Sequence, residues 1–270
     1  MATSPAAATV DLFLLAHHDD EVFCAGHLRR ALAGGGRVHL LWATAGGLAP
    51  ARRRVAEGAR VLEVLKPTGA TGSDLRLADQ HAVEHVATIA AAVGLLVDGA
   101  PLPDASEGDA IREGVRAAQA TVYVPAYEGG HPDHDAVNAA AALAAAARPG
   151  LRVVEFPLYR RGPLGLTAAS PLPPAGTARE PLVVLPLDGR DLALRRLLAR
   201  ANASQLVPSL LPLLGVARLA GRGRAEPARP LPAHDYTRPP HPGRLLYELY
   251  TPWRFARWSA AVAASRVSEG

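Results

Sequence analysis

Short apolar runs alternate with helix-patterned segments from the start of the chain, and this alternation restricts the fold more than any other feature. Val10 to Ala16 (VDLFLLA) and Val38 to Thr44 (VHLLWAT) have the length and content of buried strands. Val22 to Ala33, stopped by Gly34-Gly35-Gly36, and Arg52 to Leu65 have helical periodicity. Strand, helix, strand, helix implies a parallel sheet with right-handed crossovers. The composition agrees: 49% of the residues are apolar, mostly Ala, Leu and Val, and only 5% are aromatic. Such side chains suit helices packed on both faces of a parallel sheet.

The same reading continues along the chain. Helices are expected at Ala82 to Leu96, Ile111 to Ala120, Ala136 to Ala147 and Leu192 to Leu206, and strands at Thr121 to Pro125, Leu151 to Phe156 and Leu182 to Leu187. Pro101 to Asp109, Arg160 to Glu180 and Arg218 to Arg244 are rich in Pro, Gly or Arg and read as loops. Tyr247 to Ser259, with Trp253, Phe255 and Trp258, reads as a docked terminal helix. The expectation is α/β: one Rossmann-like, doubly wound domain over residues 1–270, with a mostly parallel sheet and long loops. Its core would run from about residue 8 to 215, followed by a C-terminal extension over about 216–270.

Several classes are excluded or disfavoured. Cys24 is the one cysteine, so no intrachain disulfide can form, and between apolar residues it reads as a small core side chain. Lys66 is the one lysine among 29 basic residues, and the net charge of +4 is too small to indicate a nucleic-acid partner. Arg218, Arg222, Arg224 and Arg229 lack interleaved aromatics to stack on bases. No apolar run reaches the roughly 18 residues that span a bilayer, and residues 1–10 lack the pattern of a secretory signal. A cytoplasmic protein without membrane or nucleic-acid partners is therefore expected; a homo-oligomer is compatible with the chain. Gly34 to Gly36 do not form a dinucleotide fingerprint.

Two polar clusters stand where strands should end: His17-His18-Asp19-Asp20-Glu21 and His131-Pro132-Asp133-His134. Ligands of open α/β sheets bind outside those ends, so two distant segments should meet at one site. Shuffling this composition gives H-x-D-D-E, or H-P-D-H, in about one or two chains per thousand each, so chance does not explain both. An aspartate in each cluster could serve only as a helix cap, but a cap needs no histidines. Burying this much charge is costly unless a cation or substrate shares it, and His with Asp suits a borderline metal such as zinc. His81-Ala82-Val83-Glu84-His85 matches the H-x-x-E-H pattern of a metalloprotease. It is commoner by chance, and no strand precedes it.

Ala16 to Glu21 resembles the A-H-P-D-D-E signature of the LmbE-like (PIG-L) zinc-dependent N-deacetylases, and His131 to His134 is similar to that family's H-x-x-H. Thr44, Arg54 and Glu57 (R-x-x-E), Leu77-Ala78-Asp79 and Val124 to Gly130 extend the likeness over about the first 160 residues. The resemblance implies a Rossmann-like fold and one zinc on His17, Asp20 and His134, with another divalent metal such as Fe2+ suited to the same donors. It implies Asp19 as general base and His131 as general acid or oxyanion stabiliser. Arg54 and Asp79 would hold sugar hydroxyls. The expected substrate is an N-acetylated (N-acyl) amino-sugar small molecule or glycoconjugate, in a setting such as natural product biosynthesis. A zinc amidase on a non-sugar or thiol-conjugate amide is the alternative, and a non-catalytic metal or carbohydrate binder the second.

His18 replaces the family's proline. It is a candidate substrate contact, with a solvent-facing or backbone-fixing role as the plainer reading. His241, in the stiff Pro239-Pro240-His241-Pro242-Gly243 segment, is a candidate for lining the pocket, with loop anchoring as its plainer role.

Overall fold

A computed structural model describes residues 9–47, 49–103, 119–162, 165–170, 182–219 and 221–267. Strands β1 (Thr9–Leu15) and β2 (Arg37–Thr44) flank helix α1 (Ala25–Ala33), and helix α2 (Ala51–Leu65) leads to strand β3 (Thr71–Leu77). Helix α3 (Val86–Val97), strand β4 (Gln119–Pro125), helix α4 (Pro132–Ala147) and strand β5 (Arg152–Phe156) follow. These five strands are parallel, in the order β3-β2-β1-β4-β5.

Alternate residues of β1 feed two cores, as a strand buried on both faces requires. Leu12 and Leu14 pack with apolar residues of α3 and α4, while Phe13 and Leu15 pack with Leu28 of α1 and Val61 of α2. The chain leaves β1 toward β2 on one side, and β4 lies on the other. The crevice where ligands bind in such sheets therefore opens at the carboxyl ends of β1 and β4.

The second half departs from the expected pattern. A hairpin of β6 (Tyr159–Gly162) and β7 (Gly165–Ala168) occupies part of the stretch expected to be loop. After β8 (Val183–Pro186), α5 (Gly189–Ala201), the short α6 (Ala203–Gln205), a π-helical turn (Leu206–Leu210) and α7 (Leu211–Leu219), strand β9 (Ala225–Pro230) enters the main sheet. It lies between β5 and β8, antiparallel to both. A strand expected to fall outside the core is thus inside the seven-stranded sheet. Its Pro227 and Pro230 hid it, since proline lacks a ladder donor and reads as loop. Strand β3 was also missed: Thr71, Ser73 and Asp74 leave no apolar run, as suits a strand at the sheet's edge.

The terminal helix α8 (Phe255–Val267) starts later than expected and is bonded into the body. Trp258 Nε1 donates to Pro132 O at 3.0 Å, Trp253 Nε1 to Gln80 O at 2.7 Å, and Ser265 Oγ accepts the Ala87 amide. The expected loop over Pro101 to Asp109 and helix over Ile111 to Ala120 fall largely outside the described residues; Gln119 and Ala120 belong to β4. Among the described residues no helix is long and apolar enough to cross a membrane.

Candidate active site

The first polar cluster begins one residue after the Ala16 that ends the β1 run. Asp20 Oδ2 accepts the Ala16 and His17 amides at 2.9 and 3.0 Å, which folds the loop back on itself and aims Oδ1 outward. The turn forces Asp19 to φ 124°, a region that side-chain-bearing residues rarely occupy, and such strain gathers at functional sites. The second cluster is a helix start. His131 is the N-cap of α4, Pro132 its first residue, and His134 stands three residues after the cap. Cap and third positions face each other, so His131 and His134 share a side, their rings 5.3 Å apart.

The two loops meet. His17 Nδ1 lies 3.2 Å from His134 Nε2, which lies 3.1 Å from Asp20 Oδ1. A tetrahedral ion with bonds of about 2.0 Å holds its ligands roughly 3.3 Å apart, so these three donors have the spacing and chemistry of a divalent-metal set. His17 Nε2 faces Asp133 Oδ2 at 3.3 Å, the carboxylate–histidine support common behind metal ligands. Asp133 is itself held by the Gln80 and Ala82 amides, at 2.7 and 3.0 Å. None of the clustered aspartates caps its own helix.

Asp19 stands apart from the donor trio. Arg54 donates to its Oδ1 at 2.8 Å, and Oδ2 has no partner among the described residues. Burial pushes the Asp19 carboxyl up to about 8, although Arg54 opposes the shift. Burial also disfavours charge on Asp20, yet His134 and His17 hold its carboxyl below the usual range. Burial and the neighbouring His17 push His131 down to about 3. Its Nδ1 accepts the Asp133 amide at 3.2 Å, which leaves Nε2 to carry the ring proton. His131 is thus a neutral N–H donor here.

Arg54 is buried between Asp19 and Glu57, 2.7 Å from Glu57 Oε2. Glu57 also accepts the Ser204 amide and hydroxyl at 2.8 and 2.7 Å. Asp79 stands 3.5 Å from His17 Nε2. A Cβ on Gly47 would overlap the Asp79 carboxylate, so glycine makes room for it. His17, Asp19, Arg54, Asp79 and His131 line one end of a cavity of about 540 Å3.

Two candidates fall elsewhere. The His18 ring turns away from the cavity, stacks on Trp42 at 4.8 Å, stands 3.2 Å from Asp74 Oδ2, and fills the space opposite Gly58. Neighbouring side chains on a turn need not share a side, and His18 is buried in the core side of this one. His241 does not line the cavity; its Nδ1 lies 3.0 Å from Pro242 O. His81 and Glu84 pair at an exposed helix start at 2.9 Å and join no cluster of metal-binding groups among the described residues. Gln80, Tyr159 and Tyr250 line the cavity and were not foreseen. Tyr250 donates to Gly130 O at 2.7 Å across 120 residues, a relation no local motif carries.

The family model described as PIG-L, GlcNAc-PI de-N-acetylase, matches residues 12–145. No curated protein matches the chain. Among solved structures, a deacetylase of teicoplanin biosynthesis is similar with a TM-score of 0.57 and 18% identity, over 82% of this chain and 97% of that one. A conserved protein of Thermus thermophilus follows at 0.53 and 22%, over 83% and 96%. The N,N'-diacetylchitobiose deacetylase of Pyrococcus horikoshii gives 0.51 and 16%, over 92% and 88%. At these identities the likeness is one of fold.

Proposed function

The chain belongs to the PIG-L (LmbE-like) family, and on that premise we propose that it is a zinc-dependent hydrolase that removes an N-acetyl group from an amino-sugar-containing small molecule. The convergence of His17 Nδ1, Asp20 Oδ1 and His134 Nε2 beside the unpaired oxygen of Asp19, at the end of one cavity, carries this reading. His17, Asp20 and His134 would hold the cation, which when bound polarises an amide carbonyl and acidifies water.

The remaining roles belong to the chain's own groups. Asp19 takes a proton from the attacking water at Oδ2 and passes it to the leaving nitrogen as the C–N bond breaks, so acetate and a free amine result. Asp19 acts in its ionised form, which the Arg54 guanidinium favours against the effect of burial. Arg54 holds Oδ1 and so orients the base. His131 donates from Nε2 to the oxygen that becomes negative, the role of an oxyanion donor. Arg54 and Asp79 line the cavity; Asp79 would bond sugar hydroxyls, and Arg54 would do so beside the bonds it makes to Asp19 and Glu57. The diacetylchitobiose deacetylase, among the structures of similar fold, is consistent with such a substrate.

The test is acetate release by zinc-loaded protein from N-acetylglucosamine, its glycosides, a nucleotide sugar and an N-acetylated aminoglycoside precursor. Release is expected from at least one and should vanish in Asp19→Asn. Equal release by that variant, or none from any amide by fully metallated protein, would overturn the reading.

A further inference from the structure

Asp19 is held at φ 124° and ψ −18°, a conformation that keeps its place only where the surroundings over-determine it. Two residues on, Glu21 Oε2 accepts the Asp19 amide at 3.0 Å and Trp42 Nε1 at 3.4 Å. One residue before, the His18 ring lies on the same Trp42, with ring centres 4.8 Å and planes 27° apart. One indole of β2 thus grips the turn on both sides of Asp19. Two further elements complete the seat of His18. Its Nε2 faces Asp74 Oδ2 of β3 at 3.2 Å, and a Cβ on Gly58 of α2 would fall 2.4 Å from its Cδ2. Glycine weakens a helix interior, and room for this ring is the reason it stands there.

His18 is buried and does not line the cavity, so it does not touch a substrate there. Its amide makes no hydrogen bond among the described residues, which leaves the side chain to fix this position. We propose that His18 is a positioning residue: its ring, seated on Trp42, Asp74 and Gly58, holds the turn that carries His17, Asp19 and Asp20. It does by packing what a proline ring at this position does by fixing φ. The expected effects on zinc and turnover rest on the de-N-acylation reading, but the anchoring of the turn does not.

Three variants separate positioning from mere packing. His18→Ala frees the turn and leaves a void; His18→Pro leaves a void as well but restrains the turn; Gly58→Ala, away from the cavity, crowds the ring. Hydrogen exchange of the 17–21 amides is followed by mass spectrometry in metal-free protein. Zinc affinity is read by competition with a chromophoric chelator, and kcat and KM from acetate release at saturating zinc. In His18→Ala and Gly58→Ala the turn should exchange at least about tenfold faster. Zinc affinity and kcat should each fall about 10–100-fold, as when support behind metal ligands is lost, with KM little changed. His18→Pro should stay within about threefold of the unsubstituted protein throughout. Unchanged exchange and zinc affinity in His18→Ala would overturn the proposal. So would losses in His18→Pro as large as those in His18→Ala, because the loss would then follow the void. Should His18→Ala not fold, Asp74→Ala should show the faster exchange, and an unchanged rate there would overturn the proposal too. Faster exchange and weaker zinc binding in the variants, without acetate release by the unsubstituted protein, would uphold the positioning and overturn de-N-acylation instead.

Discussion

The two halves of the molecule supply different things to one cavity. The charged and imidazole groups that line it, His17, Asp19, Arg54, Asp79 and His131, precede residue 135, as do the donors Asp20 and His134; its apolar lining groups, Leu166, Pro208, Pro212, Leu213 and Leu246, follow residue 158. His17, Asp19 and Asp20 lie in the turn after β1, His131 and His134 at the start of α4 and Arg54 in α2, and backbone amides hold the Asp20 and Asp133 carboxylates. The apolar lining comes from the β6–β7 hairpin, the run from α6 to α7 and the stretch before Tyr247. The division is not a separation, because bonds from the second half brace the first. Asn202 donates to Glu21 at 2.5 Å, and Ser204 holds Glu57. Glu226 of β9 accepts the Gly26 and His27 amides at the start of α1, which has no side-chain cap of its own.

The sharpest way to break this comparison is at the reactive end. Asp19→Asn should lower turnover by about 10²–10⁴-fold while zinc content, measured by atomic absorption, stays near one per chain. His134→Ala should lose zinc while His81→Ala keeps it, and equal contents would sink the ligand assignment. The bracing is tested next. Glu226→Ala leaves the buried Arg195 guanidinium, now 2.7 Å from its carboxylate, without that partner, and uncaps α1. Denaturant unfolding should show a loss of about 3 kcal/mol; a loss under about 1 would mean that the halves are coupled elsewhere.

A smaller effect follows from His39 of β2, whose burial pushes it down to about 3 beside Thr71 Oγ1 at 2.8 Å. The unfolded chain protonates this ring below about 6.5 and the folded one does not, so its contribution is intact above pH 6.5 and drains away as pH falls toward 3. Between pH 7.5 and 5 that is about 2 kcal/mol, and the acid loss seen by unfolding should be smaller by this amount in His39→Leu. An identical pH slope in the variant would show that His39 already charges in the folded state. Smallest of all, His241→Ala should change stability by under about 0.5 kcal/mol and leave turnover as it was. A marked rise in KM would return His241 to the pocket.

Legibility followed how local each cause was. Strands β1, β2, β4 and β5 announce themselves because burial on both faces demands unbroken apolar runs. Strand β3 carries Thr71, Ser73 and Asp74 at the sheet's edge, and β9 carries two prolines, so neither has the pattern although both sit in the ladder. The reactive cluster was legible because its members lie within a few residues of strand ends. Among the described residues the donor atoms of His17, Asp20 and His134 come together, as do those of His17, Asp79, His131 and Asp133. His18 shows the limit: it touches a ligand in sequence, but Gly58, Trp42 and Asp74, from three other elements, decide which way its ring turns. His131 is similar, since burial and the neighbouring His17 lower its pKa while an amide two residues on takes its Nδ1.

The sequence by itself determined the parallel α/β core and the two polar clusters that meet at the cavity, because periodicity and short polar motifs are local properties of a chain. Only the tertiary structure decided which atoms of those residues face one another, that a proline-bearing strand joins the sheet, and that apolar groups from the second half share the cavity lining. Those depend on contacts between segments tens to hundreds of residues apart, where burial and hydrogen-bond geometry are set jointly and no single stretch contains the information.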